Sequence, residues 1–412
     1  MPRRYLDRPR YMETLESLVG TEQVKVLQGI RRCGKSSLLE MLRERLAQRG
    51  VPERNIFHRR FDDFGLPLEQ TAQDLVAQLE SMFADSDPSQ MRYVFLDEIQ
   101  EVRDWPVVVR RLHTMDNVDV YLTGSNAHLL STDLATQLAG RTVSIDVHPL
   151  SFREYLSFTD EIHPDRTALG TDALFADYVR FGGMPSLFAL RSLDTDDIAR
   201  ELDSIYNTVI LRDVAQHLRI RDLTLLNRLV AYLFSTSGNL YSTRKVVGAL
   251  TSAGRRTSAE TVESYIDGLS RAFILYEASQ FGLQGKQLMK PLRKVYVEDN
   301  GLRNITIGFS SRDYGFQLEN VVANELVARG YDVHVGALSH GEVDFVATRL
   351  DERLYVQVTQ SMLDEATRAR ELAPLQAIRD SFPKMVLTLD RFALGTTEDG
   401  IQVVNLVDWL TR

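Results

Sequence analysis

The sequence has 412 residues, ordinary apolar and charged content, a formal net charge of −9 and a single cysteine, Cys33. That length predicts two or three domains with cores of their own, and the acidic balance excludes a global basic field for nucleic acid. One cysteine excludes an intrachain disulfide framework or a cysteine-based zinc cluster, and no apolar run resembles a signal peptide or a membrane span. A cytoplasmic chain without a membrane partner is therefore expected.

Up to residue 158 strand-like and helix-like segments alternate. VKVLQ (24–28), NIFHRRF (55–61), YVFLDE (93–98), DVYLTGS (119–125) and TVSIDV (142–147) read as strands. LEQTAQDLVAQLESMF and DWPVVVRRLHTM read as helices between them. This alternation predicts an α/β fold, a parallel sheet covered by helices on both faces.

The first strand leads into GIRRCGKS (29–36) and then a helical run, SSLLEMLRERLA. The segment matches G-x-x-x-x-G-K-[ST], a loop that cradles phosphates. Glycines let its backbone N–H groups face inward, and the helix N-terminus adds its positive dipole end. Gly29, Arg31, Arg32, Cys33, Gly34, Lys35, Ser36 and Ser37 are thus the expected nucleotide-binding residues. Lys35 is predicted to reach the β and γ phosphates of ATP, and the Ser36 hydroxyl to ligate Mg²⁺. The strand at 93–98 ends in two carboxylates. Asp97 is placed to hold Mg²⁺, and Glu98 to act as general base toward the attacking water. TGSN (123–126) ends the next strand, where Ser125 or Asn126 could orient that water; a plain turn is an equal reading. Arg141 precedes the fifth strand, either as a surface charge or as an arginine offered to a neighbouring subunit.

After Pro149 the pattern turns helical through SFREYLSF, ALFADYVRFG and a long run at 195–234, interrupted by a Gly-Gly-Met-Pro turn at 182–185. Residues 241–269 have helix–turn–helix spacing, with Val262, Tyr265, Ile266 and Leu269 as the buried stripe. AFILYEASQF and VYVEDN would form the strands of a wing. Between 241 and 300 nine Lys/Arg face six Asp/Glu. Arg255, Arg256, Lys286 and Lys290, with Arg293 and Lys294 near the wing, can neutralise phosphates, so DNA contact and purely structural use are both open. Beyond residue 299 LENVVANELVARG reads as a helix, and YDVHVGA, EVDFVAT, LYVQVTQ and KMVLTLD as strands of a further α/β domain.

The order strand–GIRRCGKS–helix, FLDE, TGSN and LAGR before a last strand resembles the AAA+ ATPases. More narrowly it is similar to a bacterial and archaeal branch with a G-x-R-R-x-G-K-[ST] loop, a winged helix and a degenerate restriction-endonuclease-like C-terminal fold. SFREYL, the Gly-Gly-Met-Pro turn, VYVEDNGLRN, GEVDF and PLQAIRDSFPKMVLTLD carry the resemblance over nearly the whole chain. It implies a nucleotide-binding core at 1–158, a helical lid and connector at 159–235, a winged-helix-like domain at 236–300 and a nuclease-like domain at 301–412. It also implies that Arg141 acts in trans within a homo-oligomeric ring, a hexamer, while the paired Arg31 and Arg32 carry no role legible in the sequence. Glu319, Asp344 and LYVQVTQ align with the nuclease pattern Glu … Asp … Glu-x-Lys. Gln357 and Thr359 stand where the carboxylate and lysine belong, which argues against metal-dependent cleavage. The leading expectation is an ATP-driven motor that remodels or translocates DNA. The alternative is an ATP-dependent signalling switch acting on a protein partner.

Overall fold

The computed structural model describes residues 5–63, 65, 69–125, 138, 140–216, 218–283, 292–339 and 341–412. The chain forms two compact units, residues 1–148 with 271–273, and residues 149–270 with 274–412.

In the first unit the strands are β1 (Val24–Gln28), β2 (Ile56–Arg60), β3 (Gln70–Thr71), β4 (Arg92–Asp97), β5 (Val102–Arg103), β6 (Val118–Gly124) and β7 (Thr142–Asp146). Five of them make a parallel sheet in the order β2-β4-β6-β1-β7, and β3 pairs with β5 alone. All five residues of β1 are buried, as a strand flanked on both sides and covered on both faces must be. Val26, Val94, Leu96, Val120 and Leu122 share one core with Leu75, Leu79, Val108, Val109 and Leu112 from helices Ala72–Asp85 and Trp105–His113. The first of these helices starts on a reciprocal cap between Thr71 and Asp74. The five strands expected from sequence are all present within a residue or two of their predicted limits. At the start of the sheet Lys25 is buried, and its ammonium is neutralised by Asp119 of β6 at 2.5 Å.

The second unit holds β8 (Leu275–Gly282), β9 (Arg293–Val297), β10 (Asp332–Ala337), β11 (Glu342–Arg349), β12 (Glu352–Thr359), β13 (Lys384–Thr388), β14 (Gly395–Thr396) and β15 (Gln402–Asn405). They form one mixed sheet, ordered β14-β15-β13-β12-β11-β10-β8-β9. The two expected short helices, Thr243–Ser252 and Ala259–Arg271, and the hairpin β8–β9 are there. The hairpin is no free wing, because β8 also pairs in parallel with β10. A boundary at residue 300 therefore falls inside a shared sheet: the edge that β8 offers is covered by β10 rather than left to solvent. The helical run at 195–234 is also less uniform than its pattern suggests. It consists of helix Thr195–Thr208, a π-helical segment Val209–Gln216 and helix Leu223–Ser235, with Arg219 in left-handed backbone at φ 52° between the last two.

Among the described residues no helix is long and apolar enough to cross a membrane.

Candidate functional site

The loop after β1 is built by local sterics. Gly29 has φ 149°, and a Cβ there would meet the Val147 carbonyl oxygen at 2.1 Å, so only glycine fits. Gly34, at φ 104°, precedes helix Lys35–Gln48, whose first turn has no side-chain cap. Those uncapped N–H groups are the donors that a phosphate takes up. Arg32 is exposed and left-handed at φ 67°, Arg31 and Ser37 are half-buried, and Cys33 is buried beneath the loop. Arg8, a residue sequence reasoning passed over, braces the loop from below: its Nη1 donates to the carbonyls of Cys33 and His148, each at 3.0 Å.

Lys35 is buried, and its ammonium donates to the Gly29 carbonyl at 2.9 Å and the Ile30 carbonyl at 3.1 Å. It thus folds back over the loop instead of pairing with a carboxylate. The carboxylates stand at the end of β4, separated from β1 by β6, in the crevice at the carboxyl ends of the sheet. Asp97, the last residue of β4, accepts from the Ser36 hydroxyl at 3.0 Å and from the Thr123 hydroxyl through the same oxygen. Burial pushes the Asp97 carboxyl above its ordinary value, while the Thr123 and Ser36 hydrogen bonds oppose the shift.

Glu98 follows in left-handed backbone at φ 54°, and its N–H donates to Thr123 Oγ1 at 2.9 Å. One hydroxyl therefore ties the Asp97 side chain to the Glu98 backbone. Oε2 of Glu98 accepts from the side-chain amide of Gln100. On the next strand Arg60, in register with Asp97, is clamped by Asp62, and Arg31 adds its charge toward the same aspartate. Thr123, Gln100 and Arg60 were all missed from sequence. The signal for Thr123 was available, since a hydroxyl ending a strand next to the acidic one is placed to touch its carboxylate.

Ser125 is buried at the end of β6, and Asn126 lies outside the described residues. Arg141 is exposed and sits immediately before β7, whose first residue pairs with Val24 at the start of β1. The loop follows the other end of β1, about 16 Å of strand away. Arg141 is thus separated from its own chain's phosphate loop.

The expected DNA contacts divide. Arg256 is exposed, and Arg255 pairs with Asp222 at 3.4 Å. Lys286 and Lys290 lie outside the described residues. The reading of Arg293 and Lys294 as phosphate neutralisers is corrected by their surroundings. Arg293 is taken by Glu263 at 2.7 Å and Glu277 at 3.1 Å. Lys294, 1% exposed, pairs with Glu319 at 3.0 Å and Glu342 at 2.9 Å.

That lysine lies in the nuclease-like cluster. Glu319 also accepts from the Tyr296 hydroxyl at 2.7 Å, and Asp344 accepts from the Val358 N–H at 2.9 Å. Gln357 spends both ends of its amide, accepting from the Asp344 N–H at 3.2 Å and donating to Glu371 at 3.0 Å. Thr359 donates to the Ser361 carbonyl at 3.3 Å. Burial raises the Asp344 carboxyl well above its ordinary value and Glu319 adds to this, with Lys294 opposing. Among the described residues no group of three or more His, Cys, Asp or Glu is arranged to hold a metal ion.

A glycine-shaped loop at a helix N-terminus, a lysine over it and an acidic strand end beside it define a P-loop ATPase of the AAA type. Known proteins agree. The AAA domain family matches residues 21–156, and the domain of unknown function DUF8612 matches residues 172–313. An uncharacterized protein of Haemophilus influenzae is 35% identical over 414 residues, covering 100% of both chains. The uncharacterized protein MJ1544 of Methanocaldococcus jannaschii is 30% identical over 70% of this chain and 65% of its own. The chain belongs to the family of the Haemophilus protein, and it carries an AAA domain followed by DUF8612. The Walker-type ATPase PABY2304 of Pyrococcus abyssi shares the fold, with a TM-score of 0.52 and 17% identity over 73% of this chain and 95% of its own.

Proposed function

We propose that the chain hydrolyses ATP with Mg²⁺ and uses the cycle to remodel or translocate DNA as a homo-oligomeric ring. The observation that carries the hydrolytic part is the convergence of Ser36 and Thr123 on one oxygen of Asp97, next to a lysine that pairs with neither acid. A serine hydroxyl 3.0 Å from a carboxylate is the hard-oxygen set that suits Mg²⁺. Bound there, the ion would neutralise the β and γ phosphate oxygens. Lys35 exchanges its two loop carbonyls for phosphate oxygens, and the uncapped N–H groups of its helix close around the β phosphate. Glu98 takes the proton of the attacking water. Arg141 lies too far from its own loop to serve it, which supports action on a neighbour's nucleotide. A reducing cytoplasm, where Cys33 stays a thiol, suits this reading.

DNA contact rests on Arg255, Arg256, Lys286 and Lys290, several weak phosphate contacts multiplied around a ring. A second reading, an ATP-dependent switch on a protein partner, is favoured by one specific observation: Arg293 and Lys294 are sequestered in ion pairs. The ATPase rate measured with single-stranded, duplex, forked and four-way DNA separates the two. Stimulation by DNA supports the motor. ATP turnover indifferent to every DNA, with no binding at low salt, gives the case to the switch.

A further inference from the structure

Glu98 begins a short 3-10 turn, Ile99–Glu101, and the turn is anchored on both sides of Gln100. Ile99 and Val102 are buried in the core of the sheet, and the Glu101 N–H closes the turn on the Glu98 carbonyl at 3.1 Å. The backbone under Gln100 is thereby fixed. Its side-chain Nε2 donates to Glu98 Oε2, while its Oε1 is buried without a hydrogen-bond partner. A half-buried amide whose buried acceptor oxygen stays unpaired while its nitrogen donates to one carboxylate oxygen is poorly explained by stability alone. Glu98 is held at its other end too, through the bond from its N–H to Thr123.

We propose that Gln100 is a positioning residue for Glu98, an inference that rests on the ATPase reading above. Its amide occupies Oε2 and fixes the plane of the carboxylate, so that Oε1 is presented to the attacking water. In the step itself a water proton passes to Glu98 Oε1 and the water oxygen bonds to the γ phosphorus. The bond from that phosphorus to the bridging oxygen breaks, its electron pair leaves with ADP, and the proton is then released from Glu98 to solvent. Without Gln100 the carboxylate rotates about its terminal torsion, and a fraction of bound ATP meets a misdirected base.

Steady-state ATP hydrolysis, a fluorescent ATP analogue and thermal melting, applied to the full chain, test this. Gln100→Ala is expected to lower kcat roughly ten- to a hundredfold with KM for ATP unchanged. Gln100→Met, unbranched and of similar length but without a donor, should do the same and guards against a folding defect in the alanine variant. In a Glu98→Gln background, Gln100→Met should leave affinity for the analogue unchanged and cause no further loss of turnover, since a positioning residue has nothing left to position. Wild-type kcat in Gln100→Met, or a loss shared between affinity and melting temperature, overturns the role of Gln100 while leaving the ATPase intact. A wild-type chain without ATP turnover overturns both.

Discussion

Two regions of this molecule place a buried lysine close to acidic side chains, and they use it in opposite ways. At the phosphate loop Lys35 donates to the carbonyls of Gly29 and Ile30, leaving Asp97 to two neutral hydroxyls. In the nuclease-like cluster Lys294 pairs directly with Glu319 and Glu342. A lysine bound to two backbone carbonyls and the Cys33 sulfur, all neutral, is held in readiness, since a phosphate offers it more than a neutral acceptor does. A buried lysine already matched to two carboxylates has met its counterions. The charges outweigh the penalty of burial and keep its pKa raised. What a buried cation is paired with thus distinguishes a site built for a ligand from one closed upon itself.

The largest expected effect breaks the first half of that contrast. Lys35→Ala should remove nucleotide binding, by an affinity loss of roughly a hundredfold or more, because a charged hydrogen-bond donor to the β and γ phosphates disappears. Titration with a fluorescent ATP analogue reads this directly; near wild-type affinity would mean that Lys35 never leaves its loop carbonyls.

The second half is tested by Lys294→Met. Removing one partner of a buried ion pair strands the other charges, at a cost of roughly 3 kcal/mol. Denaturant unfolding should show that loss, and a neutral outcome would mean that the cluster does not depend on its internal cation. The same view expects no cleavage of any DNA with Mg²⁺ or Mn²⁺, because Gln357 and Thr359 offer neither a carboxylate nor a lysine. Cutting abolished by Asp344→Ala would reverse it.

A smaller effect concerns two surface arginines, the exposed Arg256 and the half-buried Arg255, which pairs with Asp222. Changing Arg255 and Arg256 together to Glu should weaken DNA binding across all sequences by several-fold and flatten its salt dependence, with DNA-free ATP turnover retained. Binding that is unchanged at low salt would remove these two arginines from any interface.

The smallest effect is a pH dependence within the second unit. Asp299 accepts from the Gly183 N–H at 2.7 Å, and burial pushes its carboxyl up to about 6 from 3.8. A raised carboxyl pKa means that the folded form holds the proton more tightly. Its stabilising contribution is therefore present at acid pH and is lost as pH rises from about 4 through 6. Asp299→Asn, neutral throughout, should flatten that decline, visible as a difference of a few degrees between melts at pH 5 and pH 7. Parallel curves for the two proteins would count against it.

The phosphate loop and its acids were legible because they are local: a strand, eight residues and a helix, then a strand with two carboxylates at its end. Thr123 was legible in principle, but Ser125 and Asn126, two and three residues further along, carry the more conspicuous polar signal in the sequence. Gln100 escaped because its role depends on the left-handed turn at Glu98, which no pattern announced. Lys294 was misread for a longer-range reason. A basic residue beside a wing suggests DNA, but β8 joins β10, and the hairpin becomes part of a sheet whose strands lie up to 130 residues apart in sequence. Even so, a lysine leading directly into the apolar stretch Val295–Val297 was a hint that it had a buried partner.

We propose that Lys35, Ser36, Asp97 and Glu98 form one hydrolytic site with Glu98 as its base. It is tested most directly by pairing two measurements on Glu98→Gln: affinity for ATP and single-turnover phosphate release. Wild-type affinity is expected, with phosphate release slowed by roughly 10²–10⁴-fold, since an amide keeps the shape of the site but accepts no proton. Phosphate release at the wild-type rate from ATP-loaded Glu98→Gln protein would contradict it.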